Sequence, residues 1–177
     1  MFSHASHTDT IATFAAVFVT LWVAHTVGDH WLQTAVQSAQ KGQHDRNPGE
    51  SSRVGRLACT RHLIGLTLTK ALLLALSAIV LDLSLTVAGV AIGLGLDAAS
   101  HWWADRRSSL AWLAGVAESV GITGKTEFYN LGTGAHPFHP VTAEGKPAGH
   151  IGTGAYALDQ AFHAFFLFLA ALIIAAV

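Results

Sequence analysis

The chain has 177 residues, enough for one ordinary domain. Only 12% are charged, about half the share usual in soluble domains, while 51% are hydrophobic and mean hydropathy is +0.44, which excludes a disordered chain. A net charge of −1 gives no electrostatic footprint for nucleic acid, and a single cysteine, Cys59, excludes an internal disulfide and a cysteine-rich zinc ribbon.

Read in chain order, four apolar segments are each close to the roughly 20 residues that a membrane span needs. They are expected over about 11–30, 57–81, 84–104 and 155–177. The fold expected is all-α: one polytopic membrane domain of four transmembrane helices, covering 1–177. A soluble bundle of buried helices is the alternative. The first segment is not read as a signal peptide, because the ten residues before it contain no Lys or Arg. The loop between spans one and two is polar, with a turn signal at Asn47-Pro48-Gly49. Spans two and three meet at a tight turn around Asp82. A long loop, 105–152, precedes the last span. Its first part, 108–122, has the pattern of a short interfacial helix with Trp112 at headgroup level. The rest is rich in Gly and Pro and reads either as a lid or as a connector.

Nine of the ten Lys and Arg residues lie in or beside the two long loops. Both loops are therefore expected in the cytoplasm, with both termini outside a bacterial inner membrane.

Histidine is the outlier, eleven against ten Lys plus Arg. His25 and Asp29 close span one at the i, i+4 step that stacks side chains on one helix face, with Gln33 on the same side. His62 opens span two. Asp97, His101 and Asp105 repeat the step at the end of span three, and Asp159 and His163 open span four with it. At about 1.5 Å per residue, His62 falls about 8 Å deep, Asp97 about 10 Å, His101 about 4 Å and His163 about 6 Å. Four antiparallel helices thus place their ionisable residues in one slab on the cytoplasmic side. Ionisable groups within spans are costly and mark functional sites. The recurrence of His-x3-Asp at the ends of spans one and three also hints at a duplicated hairpin.

Imidazole with carboxylate suits a divalent metal, zinc first, with manganese or iron as alternatives. The candidate ligands are His25, Asp29, His62, His101, Asp105, Asp159 and His163, some of the acids acting instead on the imidazoles. There are enough for one ion or for two. Asp97 is the candidate general base. A metal-free proton site and plain interhelical hydrogen bonding are the competing readings. Lys70, mid-span, could neutralise a carboxylate, hold a substrate phosphate or snorkel outward. His136, His139 and His150 could cap the site from the long loop, whereas His4 and His7 lie in the external tail. Trp31, Trp102 and Trp103 read as interfacial anchors.

His25-x3-Asp29 with Gln33, Arg61-His62, His101-x3-Asp105 and Leu158-Asp159-Gln160-x2-His163 together resemble DUF3307, a family of bacterial and phage integral membrane proteins. The segments 131–134 and 152–160 look like those of its actinobacterial members. The resemblance implies the four-span layout and the site positions, and it assigns no activity. By analogy with other small His/Asp membrane proteins, the expected function is a metal-dependent hydrolase acting on a lipid or another membrane-proximal substrate. The rival is a non-enzymatic membrane protein: a metal or proton transporter, or a phage-type regulatory or exclusion protein. The expected partners are the bilayer, a lipid substrate and a second copy of the chain.

Overall fold

The computed structural model describes residues 7–132 and 153–177. His4, His136, His139, His150 and Lys146 lie outside the described residues, as does most of the Gly/Pro-rich loop. Among the described residues every regular element is helical.

The first helix, α1 (His7–Val27), continues into one π-helical turn, Gly28–Leu32, that carries Asp29 and His30. A Cβ at position 28 would fall on the Leu66 side chain, so glycine lets α1 close on its neighbour there. The chain then turns into α2 (Ala35–Gln40) through a reciprocal capping box. The Gln37 amide donates to Thr34 Oγ1 at 3.1 Å, and the Thr34 amide to Gln37 Oε1 at 2.9 Å. The loop that follows is tied to the start of α3 (Ser52–Leu81). The Ser52 amide donates to Asp45 at 2.7 Å, and the Asp45 amide to Ser52 Oγ at 2.9 Å. These bonds hold the exposed Asp45 carboxyl below its usual pKa.

At 30 residues α3 is about 45 Å long, more than the ~30 Å of hydrocarbon, so it starts before the bilayer does. It begins five residues ahead of the expected span. Asp82, left-handed at φ 52°, stops it. After a short turn Thr86 caps α4 (Val87–Asp105). The loop after α4 holds two helices, α5 (Ser108–Ser119) and α6 (Lys125–Asn130), where one was expected. The last helix, α7 (Gly154–Ala176), is capped by Thr153.

Three helical stretches are long and apolar enough to cross a membrane: Thr8–Leu32, Ser52–Leu81 and Gly154–Ala176. The sequence led to four. The missing one is α4, whose second half carries Asp97, His101, Trp102 and Trp103 and so dilutes its apolar run. The outside of the bundle is strongly apolar. Ile11, Leu72, Ile79 and Val87 are all largely exposed, as in helices that face lipid and unlike a soluble bundle.

One half of the bundle has a dry core of Val17, Leu21, Leu74, Leu94, Leu167, Ala170, Ala171 and Ile174, drawn from all four long helices. There α4 and α7 lie close, because Gly93 leaves room for Ile174 and the Ala170 carbonyl. Phe14 and Phe18 of α1 meet the Phe168 ring edge-on, at 5.4 and 6.1 Å between centroids. The opposite half is polar.

Candidate metal centre

In the polar half the four long helices deliver His25, His62, His101 and His163 to one point. All four are 4% exposed or less. The His25 ring lies 5.4 Å from His101 and 5.0 Å from His163, and His62 lies 5.3 Å from His101. His101 and His163 stack at 4.0 Å. The antiparallel depth counting therefore agrees with the packing.

The acids sit beside them. His25 and Asp29 approach to 3.4 Å, His101 and Asp105 to 3.2 Å, and His163 and Asp159 to 3.4 Å, each pair separated by one helical turn. The tightest set crosses between helices. His62 Nε2 and His101 Nε2 face each other at 3.2 Å. Asp105 Oδ2 lies 3.2 Å from His101 Nε2 and 3.6 Å from His62 Nε2. Asp29 Oδ1 lies 2.9 Å from His62 Nε2 and 3.7 Å from His101 Nε2.

Those separations allow a test of fit. Four ligands at about 2.1 Å around a tetrahedral zinc stand about 3.4 Å from one another. The three edges of the His62–His101–Asp105 triangle, 3.2, 3.2 and 3.6 Å, bracket that value, and Asp29 approaches the same two nitrogens. Three triads bring their ligand atoms within 4.8 Å of one another: Asp29–His101–His163, His62–His101–Asp105 and Asp105–Asp159–His163. Buried polar atoms almost always find partners. Here His25 Nδ1, His101 Nδ1 and Gln33 Nε2 find none. Cys59 is buried with its thiol against the Trp102 carbonyl and joins no triad.

Six of the seven candidate ligands fall in these triads. His25 does not: it flanks the cluster and contacts Asp29. Asp97, the expected general base, lies apart from the triads. Its carboxylate takes the Lys70 ammonium at 2.6 Å, one helical turn deeper than His101, and belongs to no triad. Lys70 is fully buried, so of its three candidate roles the first, neutralising a carboxylate, describes it, and it does not snorkel.

Lys41 escaped the sequence reading, which placed it only in a loop. Its ammonium lies 2.7 Å from Asp105 Oδ1. Burial opposes that charge, but the Asp105 and Asp29 carboxylates outweigh it and raise the lysine pKa above its ordinary value. Arg106 fixes the lysine's backbone by donating from Nη1 to the Lys41 carbonyl at 2.6 Å and from Nη2 to the Gln43 carbonyl at 2.5 Å. A Cβ on Gly55 would strike both the Gln43 carbonyl and this guanidinium, which is why α3 carries glycine at that turn. The readable signal was the capping box Thr34-x2-Gln37, which predicts a helix leading into Lys41.

Above the cluster opens a cavity of about 630 Å³. Asp29, Asp105 and Asp159 line it, together with Lys41, Arg107, Tyr129 and Tyr156, whereas the four histidines are not among its lining residues. Tyr156 Oη and His30 approach to 3.4 Å within its wall. The carboxylates are thus shared between a buried set of imidazoles and an accessible space. No family model, curated protein or solved structure matches the chain.

Proposed function

We propose that the chain is a membrane metalloprotein with four spans, α4 being the fourth, and that its metal activates water to hydrolyse a lipid or another membrane-proximal substrate. The observation that carries this reading is the His62–His101–Asp105 triangle, with edges of a metal's ligand sphere, lying beneath a cavity that Asp105 lines. Zinc is the first choice, with manganese or iron as alternatives. Such an ion lowers the pKa of bound water to about 7, so hydrolysis needs no separate strong base once Asp97 is committed to Lys70. Lys41 and Arg107 in the cavity wall suit an anionic substrate group such as a phosphate. The dry core beyond Lys70 and Asp97 favours a one-sided site over a transport path. The resemblance to DUF3307 rests on these same residues.

Metal analysis of the full chain purified in detergent should find bound zinc, manganese or iron at no less than one ion per chain. His62→Ala and His101→Ala should each lower it, and the double change should add little, because both belong to one triad. Release of phosphate or fatty acid from mixed phospholipid vesicles should stop with a chelator and return with metal. Metal-free wild-type protein would defeat the reading, and metal-loaded protein with no release from any lipid would favour a non-enzymatic role.

The basic loops put the site on the cytoplasmic side, with both termini outside. Because Cys59 is buried, labelling reports an introduced cysteine cleanly. A cysteine at position 4 should react from outside and one at position 53 should not. The reverse would overturn the orientation.

A further inference from the structure

We propose that Asp105, Asp159 and His163 hold a second divalent cation beside the first, with Asp105 shared between the two. The inference rests on the metal reading above and adds to it. An ion with bonds of about 2.1 Å spans ligands no more than about 4.2 Å apart. Asp159 shares no triad with His62 or His101, so one ion does not serve all of the ligands. Instead the triads His62–His101–Asp105 and Asp105–Asp159–His163 overlap at Asp105 alone. The near-parallel rings of His101 and His163, 4.0 Å apart and 21° from coplanar, belong one to each of these two triads and both to the third, with Asp29.

The two sites differ in access. The side chains of His62, His101 and Asp105 are 1–2% exposed, whereas that of Asp159 is 17% exposed and lines the cavity. The first ion would be the more enclosed of the two and would keep the water-activating role proposed for it. The second would face the cavity with positions left for water and substrate. The Lys41 ammonium, 2.7 Å from Asp105 Oδ1, marks that oxygen as one that takes a cation, and it would give way to the second ion.

The test is metal stoichiometry and magnetic coupling, with Mn²⁺ alone as the probe. The full chain in detergent, saturated with Mn²⁺ and passed through a desalting column, should carry two ions. Its electron paramagnetic resonance spectrum should show an exchange-coupled pair. Asp159→Asn, an isosteric change at the cavity edge, should retain one ion and give an uncoupled six-line spectrum. His163→Gln should do the same, and both variants should elute as the wild type does. One ion in the wild type, or two coupled ions persisting in both variants, would overturn the second site and leave the first intact. No bound ion in the wild type would defeat the metal reading as a whole.

Discussion

The same four helices bury two kinds of interior, and the contrast explains both. In the dry half, Val17, Leu21, Leu74, Leu94, Leu167 and Ile174 interdigitate, and the polar atoms there satisfy each other, as Thr20 and Ser77 do at 2.9 Å. That half is complete as it stands. In the polar half, imidazoles and carboxylates occupy equivalent places on the same helices, yet several buried nitrogens lack partners. The Lys70–Asp97 pair marks the boundary. One half is held chiefly by apolar packing, whereas the other gathers buried imidazoles and carboxylates in groups that could hold a metal ion.

The boundary should be the most sensitive place. Lys70→Met leaves the Asp97 carboxylate buried without its partner, which costs about 3–5 kcal/mol. The double variant Lys70→Met/Asp97→Leu removes both charges and should return close to wild-type stability in detergent unfolding. If the single and double variants fall equally, the pair does more than neutralise itself, and the boundary has been drawn in the wrong place.

The polar half should respond to metal and the dry half should not. A divalent ion at 100 times its Kd adds about 2.7 kcal/mol to a protein that binds it only when folded. Thermal unfolding should therefore rise with added zinc, fall with a chelator, and rise less in His62→Ala.

Packing sharpens the other side of the comparison. Gly93→Ala puts a methyl group against Ile174 and the Ala170 carbonyl, an overpacking worth about 1–3 kcal/mol. Gly95, two residues on, has nothing within 4 Å of the added carbon, so Gly95→Ala should be neutral or slightly stabilising. Neither change should alter metal content. The smallest effect expected is Thr20→Val, which loses one hydrogen bond within the bundle, worth about 0.6 kcal/mol.

Much of this was legible in the sequence, for reasons that also set its limits. The convergence of His25, His62, His101 and His163 followed from two regularities, the i, i+4 step and the rise per residue, because antiparallel helices of known direction leave little freedom in depth. Partner choice was less legible. Asp97 shares a face with His101, but the register of α3 against α4 and the reach of a lysine stem decide that it meets Lys70. The role of Lys41 depends on α2 folding back and on Arg106 gripping two loop carbonyls, tertiary contacts that no periodicity announces. The span expected at α4 is the one that hydropathy does not return, because Asp97, His101, Trp102 and Trp103 lower the mean of a helix of 19 residues.

The central claim is that His62, His101 and Asp105 bind one metal ion. X-ray absorption at the zinc edge of the zinc-loaded full chain tests it most directly. The expected spectrum has a first shell of nitrogen and oxygen at about 2.0–2.1 Å, outer-shell scattering from imidazole and no sulfur at about 2.3 Å, and His62→Ala should remove part of the imidazole signal. A shell without imidazole, or a spectrum that His62→Ala leaves unchanged, would contradict it.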